Sequence, residues 1–158
     1  MVNDDRAMTA DLINRRALLR AASISVVALM IPYAQAAMPD EVASAIRELI
    51  GDALPRDSGI VLQVPETAEN GAVVPVTVLV DSPMTAERHV RAIHLIATKN
   101  PTLGIASFQL TPAAGKAQVS MRVRLAESQT LLVFAEHSDG VVSRAAADIK
   151  VSVGGCLT

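Results

Sequence analysis

Val119-Ser120-Met121-Arg122-Val123-Arg124-Leu125 alternates apolar and polar residues without a break. A strand turns successive side chains to opposite faces, so Val119, Met121, Val123 and Leu125 share one side while Ser120, Arg122 and Arg124 share the other. The stretch reads as a half-buried strand whose basic face is wet or turned to a partner. The same period of two recurs upstream in Val76, Val78 and Val80, set against Thr77 and Leu79. It recurs downstream in Ala147, Ile149, Val151 and Val153, set against Asp148, Lys150 and Ser152.

Between these runs lie further short apolar segments. Ile60 to Val64 reads as a strand, and Val90 to Ala97 as one so continuously apolar that both its faces must be covered. Ile105 to Leu110 and Leu131 to His137 follow. The connections carry turn residues: a polar loop from Pro65 to Gly71, then Asp81-Ser82-Pro83, Asn100-Pro101, Thr111-Pro112, and an Asp139-Gly140 pair suited to a tight hairpin. Pro75 marks a strand entrance or an edge, because proline cannot donate to a ladder.

Seven short strands at such spacing favour two packed sheets over alternating strands and helices. The expected class is all-β: an immunoglobulin-like antiparallel β-sandwich of about seven strands, without the usual Cys-Trp-Cys core. The chain is 51% hydrophobic but only 2% aromatic, so Val, Ile, Leu and Ala must build its core.

One helix precedes the strands. Pro39 suits a first helical turn, Asp40 and Glu41 favour the positive end of the helix dipole, and Val42, Ile46 and Leu49 fall on one face. Gly51 supplies the stop, and residues 52–59 form a linker.

The first 36 residues read as an address. Arginines at Arg15, Arg16 and Arg20 precede an apolar run of about eleven residues, Ala21 to Ile31, short of the roughly 20 that a spanning helix needs. Pro32 and Tyr33 break it, and Ala34-Gln35-Ala36 offers small residues to a signal peptidase, with Ala34 and Ala36 at the cleavage motif. The Arg15-Arg16 pair followed by Leu18-Leu19 resembles a twin-arginine export signal, with Asn14 where Ser or Thr is usual. The expected organisation is a signal peptide over 1–36, helix and linker over 37–59, sandwich over 60–153 and a flexible arm over 154–158. The expected location is the periplasm, with no membrane contact once the signal is removed.

That address changes the meaning of Cys156, the one cysteine in the chain. A lone cysteine in an oxidising compartment forms an intermolecular bond or remains a reactive thiol. Cys156 follows the strand Ala147–Val153 through Gly154 and Gly155, two residues with little backbone restriction, so it reads as a thiol on a tether. Other chemistries find little support. His89, His94 and His137 show no motif spacing for a nucleophile–base pair or a zinc site. Gly154-Gly155 opens no helix and so makes no phosphate loop. The formal charge of −2 lacks the basic excess of a nucleic-acid footprint. Neither catalytic residues nor a metal are expected.

Four segments in order, Val80-Asp81-Ser82-Pro83-Met84, Lys99-Asn100-Pro101, Phe108-Gln109-Leu110-Thr111-Pro112 and Gly154-Gly155-Cys156, resemble the SoxY family of sulfur carriers. The resemblance covers nearly all of the chain after the signal. It implies a helix-preceded sandwich that pairs with a second small sandwich, SoxZ, as a heterodimer. It also implies a non-catalytic role in which Cys156 holds thiosulfate-derived sulfur covalently, with no other cofactor. The c-type cytochrome SoxXA would couple thiosulfate to the thiol, the manganese-dependent hydrolase SoxB would release sulfate, and a sulfane dehydrogenase would act on the sulfur that remains. The family's arm usually ends Gly-Gly-Cys-Gly-Gly. Here Leu157-Thr158 follows the cysteine, and a leucine would crowd a channel fitted to glycine. The competing reading from another class is a structural or adhesion-type periplasmic sandwich whose Cys156 crosslinks two chains.

Overall fold

The computed structural model describes residues 39–155; Arg15, Arg16, Ala34 and Ala36 of the expected signal peptide, together with Cys156, Leu157 and Thr158, lie outside the described residues. Within it, helix α1 (Asp40–Ile50) leads into eight strands: β1 (Ile60–Gln63), β2 (Thr67–Asn70), β3 (Val74–Val80), β4 (Val90–Ala97), β5 (Gly104–Gln109), β6 (Ala117–Val123), β7 (Gln129–His137) and β8 (Val142–Val153). They form a sandwich of a three-stranded sheet, ordered β1-β3-β6, and a five-stranded sheet, ordered β2-β8-β7-β4-β5.

The all-β expectation holds, with two differences. Thr67–Asn70, expected inside a polar loop, is a strand, and its pairing with β8 is parallel where the other strand pairings are antiparallel. Only Ala68 of its four residues is buried, so no apolar alternation announces it. In addition β8 begins at Val142 rather than Ala147. Its first half pairs with β7, from Val142 opposite Glu136 to Ile149 opposite Gln129. Its second half continues past β7 and is held by β2, with Val151 opposite Ala68 and Val153 opposite Asn70. One strand thus carries the chain from the Asp139-Gly140 hairpin, where Gly140 takes a φ of 83°, across the whole sheet to Gly154.

The core is aliphatic, as the composition required. Val74, Val76, Val78 and Val80 of β3 meet Ile93, Leu95 and Ala97 of β4 and Leu131, Val133 and Ala135 of β7, all buried. Pro75 sits in the middle strand of its sheet without breaking a ladder on both flanks. β1 pairs only with Thr77 to Val80, so the strand is an edge at that height.

The near-continuous burial of β4 has the cause its composition pointed to. One face meets the small sheet across the core. The other face, with Ile96, lies under α1, whose Val42 joins Leu132, Phe134 and Val142 in a second apolar cluster flanked by Ile46, Leu49 and Ile50. Phe134 is 1% exposed, and burying a side chain of that kind is worth about 1.5–3 kcal/mol. At the far end of α1, Gly51 takes a φ of 63° and donates its N–H to the Arg47 carbonyl.

The linker after α1 is fastened at its end, where the Gly59 carbonyl accepts from Asp81 N–H at 2.8 Å, and at Arg56. Arg56 N–H donates to the Val142 carbonyl at 2.9 Å, and the Arg56 carbonyl accepts from Arg144 N–H at 2.7 Å. The next residue completes the clasp: Asp57 accepts from both Nε and a terminal nitrogen of Arg144, at 2.7 and 2.8 Å. These hydrogen bonds hold the Asp57 carboxyl below its ordinary value; desolvation opposes them, and a still smaller attraction between the charges adds to them. Because the folded value is depressed, the clasp's contribution is complete above the ordinary carboxylate range and disappears as pH falls through the lower, folded value. A carbon-detected titration of Asp57 should show a midpoint below that of an unpaired aspartate. Arg144→Gln should return it to the ordinary value, and an unchanged midpoint would remove the clasp.

Candidate functional site

The end of β8 runs into a place where three stretches of backbone cross at very short range. β6 stops at Val123, and residues 124–126 leave the ladder while Leu125, fully buried, still points into the core. Leu125 N–H donates to the Gly71 carbonyl at 2.8 Å, and Gly71 N–H donates to the Val153 carbonyl at 2.8 Å. Gly155 N–H then donates to the Leu125 carbonyl at 3.0 Å. The described part of the C-terminal segment is therefore tied to both the β2–β3 turn and the 124–126 loop.

Glycine is required here by space rather than by dihedral angle. A Cβ on Gly71 would strike the Leu125 carbonyl oxygen and lie 2.7 Å from the Gly155 nitrogen. One on Gly155 would lie 2.8–2.9 Å from the backbone of Gly71 and Ala72, and one on Gly154 would run into the Ala126 carbonyl oxygen. Gly155 is buried. This differs from the expectation of a tether that is free from Gly154 onward: the backbone is held through Gly155, and Cys156 is the next residue in the chain.

The loop that receives Gly155 is itself held by side chains. Asn100, 9% exposed, donates from Nδ2 to the Arg124 carbonyl at 2.8 Å. Its Oδ1 accepts from Ala126 N–H at 3.0 Å and from Gln129 Nε2 at 2.8 Å. Gln129, 5% exposed, accepts at Oε1 from Lys99 N–H at 2.7 Å and donates a second bond from Nε2 to the Glu127 carbonyl at 3.2 Å. A buried amide left without partners costs free energy, and here both amides are engaged at each end. The sequence marked Asn100 as part of a turn and of the Lys99-Asn100-Pro101 segment that carries the family resemblance, without a structural role, and nothing in its pattern marked Gln129 or Gly71. The available signal was the polar Gln129 at the head of an apolar strand, where burial demands a partner.

The three histidines do not gather into a site. His94 lies in the sheet, 6% exposed, between Ser107 Oγ at 2.8 Å and Glu136 Oε1 at 3.0 Å, and Glu136 also pairs with Arg91 at 3.1 Å. His89 and His137 sit at the other end of β4 and β7 from Gly155, around a cavity of about 50 Å³ shared with Asp81, Ser82, Ser138 and Asp139. His137 Nε2 bonds Ser143 Oγ at 3.0 Å, and His89 Nδ1 is buried without a protein partner. Among the described residues no group of three or more His, Cys, Asp or Glu is placed to hold a metal. Arg122 lies on the exposed face of β6, as the alternation indicated, and Arg124 beyond the strand is exposed too.

The crossing makes a stability prediction. Gly155→Ala and Gly71→Ala should each cost about 1–3 kcal/mol, the range for forcing atoms into a packed site. Gly104→Ala, whose Cβ would meet nothing within 4 Å, should stay within about 0.5 kcal/mol of the parent. Urea unfolding of the three variants checks both statements, and equal midpoints would show that the backbones can move apart.

Comparison with known proteins agrees with this geometry. The family described as Sulfur oxidation protein SoxY matches residues 46–156. The sulfur carrier protein SoxY from Chlorobium limicola f thiosulfatophilum is 32% identical, with a TM-score of 0.61, over 72% of this chain and 98% of that one. Two more distant structures share the fold alone. A superoxide reductase (neelaredoxin) from Ignicoccus hospitalis is 20% identical with a TM-score of 0.53, over 60% of this chain and 80% of its own. A putative superoxide reductase from Thermotoga maritima is 20% identical with a TM-score of 0.51, over 58% and 84%. No curated protein matches the chain. The family match takes in the helix's second half, the whole sandwich and the Gly154-Gly155-Cys156 segment, and on it and the Chlorobium likeness the chain belongs to the SoxY family.

Proposed function

We propose that this chain is a periplasmic carrier that holds thiosulfate-derived sulfur covalently on Cys156 and presents it to sulfur-oxidising enzymes without itself catalysing. The observation that carries the reading is the position of the sole cysteine, one residue beyond a backbone anchor, in a chain of a sulfur-carrier family. A thiol on the body of a sheet could not enter an enzyme cleft; one that follows the last anchored residue can be offered to one.

The chemistry balances with partners of the Sox system. The thiolate is the reactive species of cysteine. It joins the outer sulfur of thiosulfate by an S–S bond, and the two electrons released pass to a c-type cytochrome of SoxXA type. Water then attacks the terminal sulfonate sulfur in a SoxB-type hydrolase. Sulfate and two protons leave, and the persulfide stays on Cys156. The carrier supplies the attachment atom and its placement; oxidant and hydrolytic machinery belong to the partners.

Two further features support the reading. Val73 and Val153, 54% and 65% exposed, stand next in sequence to Ala72 and Gly154 at the crossing, and they give an incoming protein an apolar surface to dock on. The arginine-bearing N-terminal address fits export by the twin-arginine route, and no described helix is long and apolar enough to cross a membrane. A SoxZ-like sandwich would complete the carrier as a heterodimer.

Intact-mass analysis of protein recovered from thiosulfate-grown cells should show sulfur adducts that reductant removes. Cys156→Ser should abolish them together with thiosulfate oxidation. A reductant-sensitive homodimer without sulfur adducts would instead support a crosslinking role for Cys156. Unchanged thiosulfate oxidation by Cys156→Ser would sink the carrier role.

A further inference from the structure

We propose that Asn100 and Gln129 are positioning residues for Cys156. Their side-chain amides set the 124–126 loop, and that loop fixes Gly155, the residue to which Cys156 is joined. The inference rests on the carrier reading for its purpose and on the geometry alone for its mechanism.

The loop is an unusual stretch of backbone. It has left the β6 ladder, with Leu125 buried, Ala126 half-buried and Arg124 exposed, and its backbone groups find partners other than a neighbouring strand. Two of the four central groups find backbone: Leu125 N–H goes to Gly71, and the Leu125 carbonyl receives Gly155. The other two, the Arg124 carbonyl and Ala126 N–H, find the two ends of one side chain, Asn100. The carboxamide thus stands in for a peptide unit of a missing neighbouring strand. By gripping the groups on either side of Leu125, it fixes the direction in which the Leu125 carbonyl points.

Gln129 steadies that grip. The Arg124 carbonyl can only accept and the Ala126 N–H can only donate, so they set which end of the amide faces each. The Nε2 donor of Gln129 adds a second bond to Oδ1 and holds the carboxamide in that place. Gln129 is held in turn by Lys99 N–H at its own oxygen. Gln129 thus supports Asn100, Asn100 the loop, and the loop Gly155. The Ala126 carbonyl at the end of the same loop is the group that a side chain at position 154 would strike, so the loop limits the segment from two directions.

A merely structural role would place the effect of these amides in the sandwich as a whole. A positioning role places it at Gly155 and Cys156. Because Cys156 is the one cysteine, a nitroxide attached to it reports that position in the otherwise native chain. In Asn100→Ala, the spin-label spectrum should narrow. The Gly155 amide should exchange roughly tenfold or more faster, as expected when a buried polar pair is lost, while amides of Leu95 and Val133 in the core keep their protection. Gln129→Ala should show the same pattern more weakly, and Asn100→Asp, which keeps the acceptor but loses the donor, should fall between wild type and Asn100→Ala.

Gln129→Ala decides the matter if Asn100→Ala does not fold. Unchanged label mobility and unchanged Gly155 exchange in the folded variants would overturn the proposal. So would loss of protection spread evenly over core and C-terminal amides. None of these readouts requires the chain to take up sulfur from thiosulfate, so a failure of the wild-type chain to acquire it counts against the carrier reading alone.

Discussion

A hydrogen bond from Gly155 to the Leu125 carbonyl ties the end of the described chain to its middle, and it forms only because no Cβ stands between the strands that meet there. Gly71, Gly154 and Gly155 come from two distant parts of the sequence, yet they satisfy one steric condition. Glycine is commonly read as a source of freedom, because it opens backbone conformations closed to other residues. At this crossing it does the opposite. It lets three backbones approach closely enough to bond and so restricts the segment that leads to Cys156. Gly51 and Gly140 serve the first purpose, at φ of 63° and 83°, and Gly71 and Gly155 serve the second.

That distinction also marks what the sequence could disclose. Alternation in Val119–Leu125 and Ala147–Val153 set the strand faces, and the apolar continuity of Val90–Ala97 correctly implied cover on both sides. These are local patterns with a local cause. β2 escaped because its residues, Thr67-Ala68-Glu69-Asn70, bury only one side chain and pair with a strand some 80 positions later. The first half of β8 escaped for a related reason: Arg144, Ala145 and Ala146 carry no alternation, and β7 on one flank and the linker at Arg56 on the other define that stretch as a strand.

The site divides in the same way. Cys156 stands out in the sequence because it is unique and follows two glycines, and its sulfur-carrying role belongs to the proposal. The role of those glycines was not legible, since a tether and a close crossing require the same residue type. Asn100 was legible as a turn residue within a family-like segment, and Gln129 only as a polar residue ahead of an apolar strand. Their meaning lies in a partner, the 124–126 loop, that is remote from Asn100 in sequence and offers only backbone groups, which any residue would carry. A contact between a side chain and a main chain leaves no complementary residue to notice.

These constraints bear on how a carrier of this kind divides order from mobility. A thiol offered to several enzymes in turn needs reach, but every degree of freedom left in the segment must be surrendered when it enters a cleft. Fixing the chain through Gly155 removes that cost for the residues before Cys156, because β8, β2 and the loop have already paid it during folding. The exposed Val73 and Val153 at the same place would let a partner bury apolar surface on the anchored sandwich. On the carrier reading, Leu157, where the family's usual ending has glycine, is the side chain that a receiving channel would have to accommodate. Selectivity among partners would accordingly reside in the channel's tolerance for that side chain, while recognition of the carrier as a whole would reside in the sandwich.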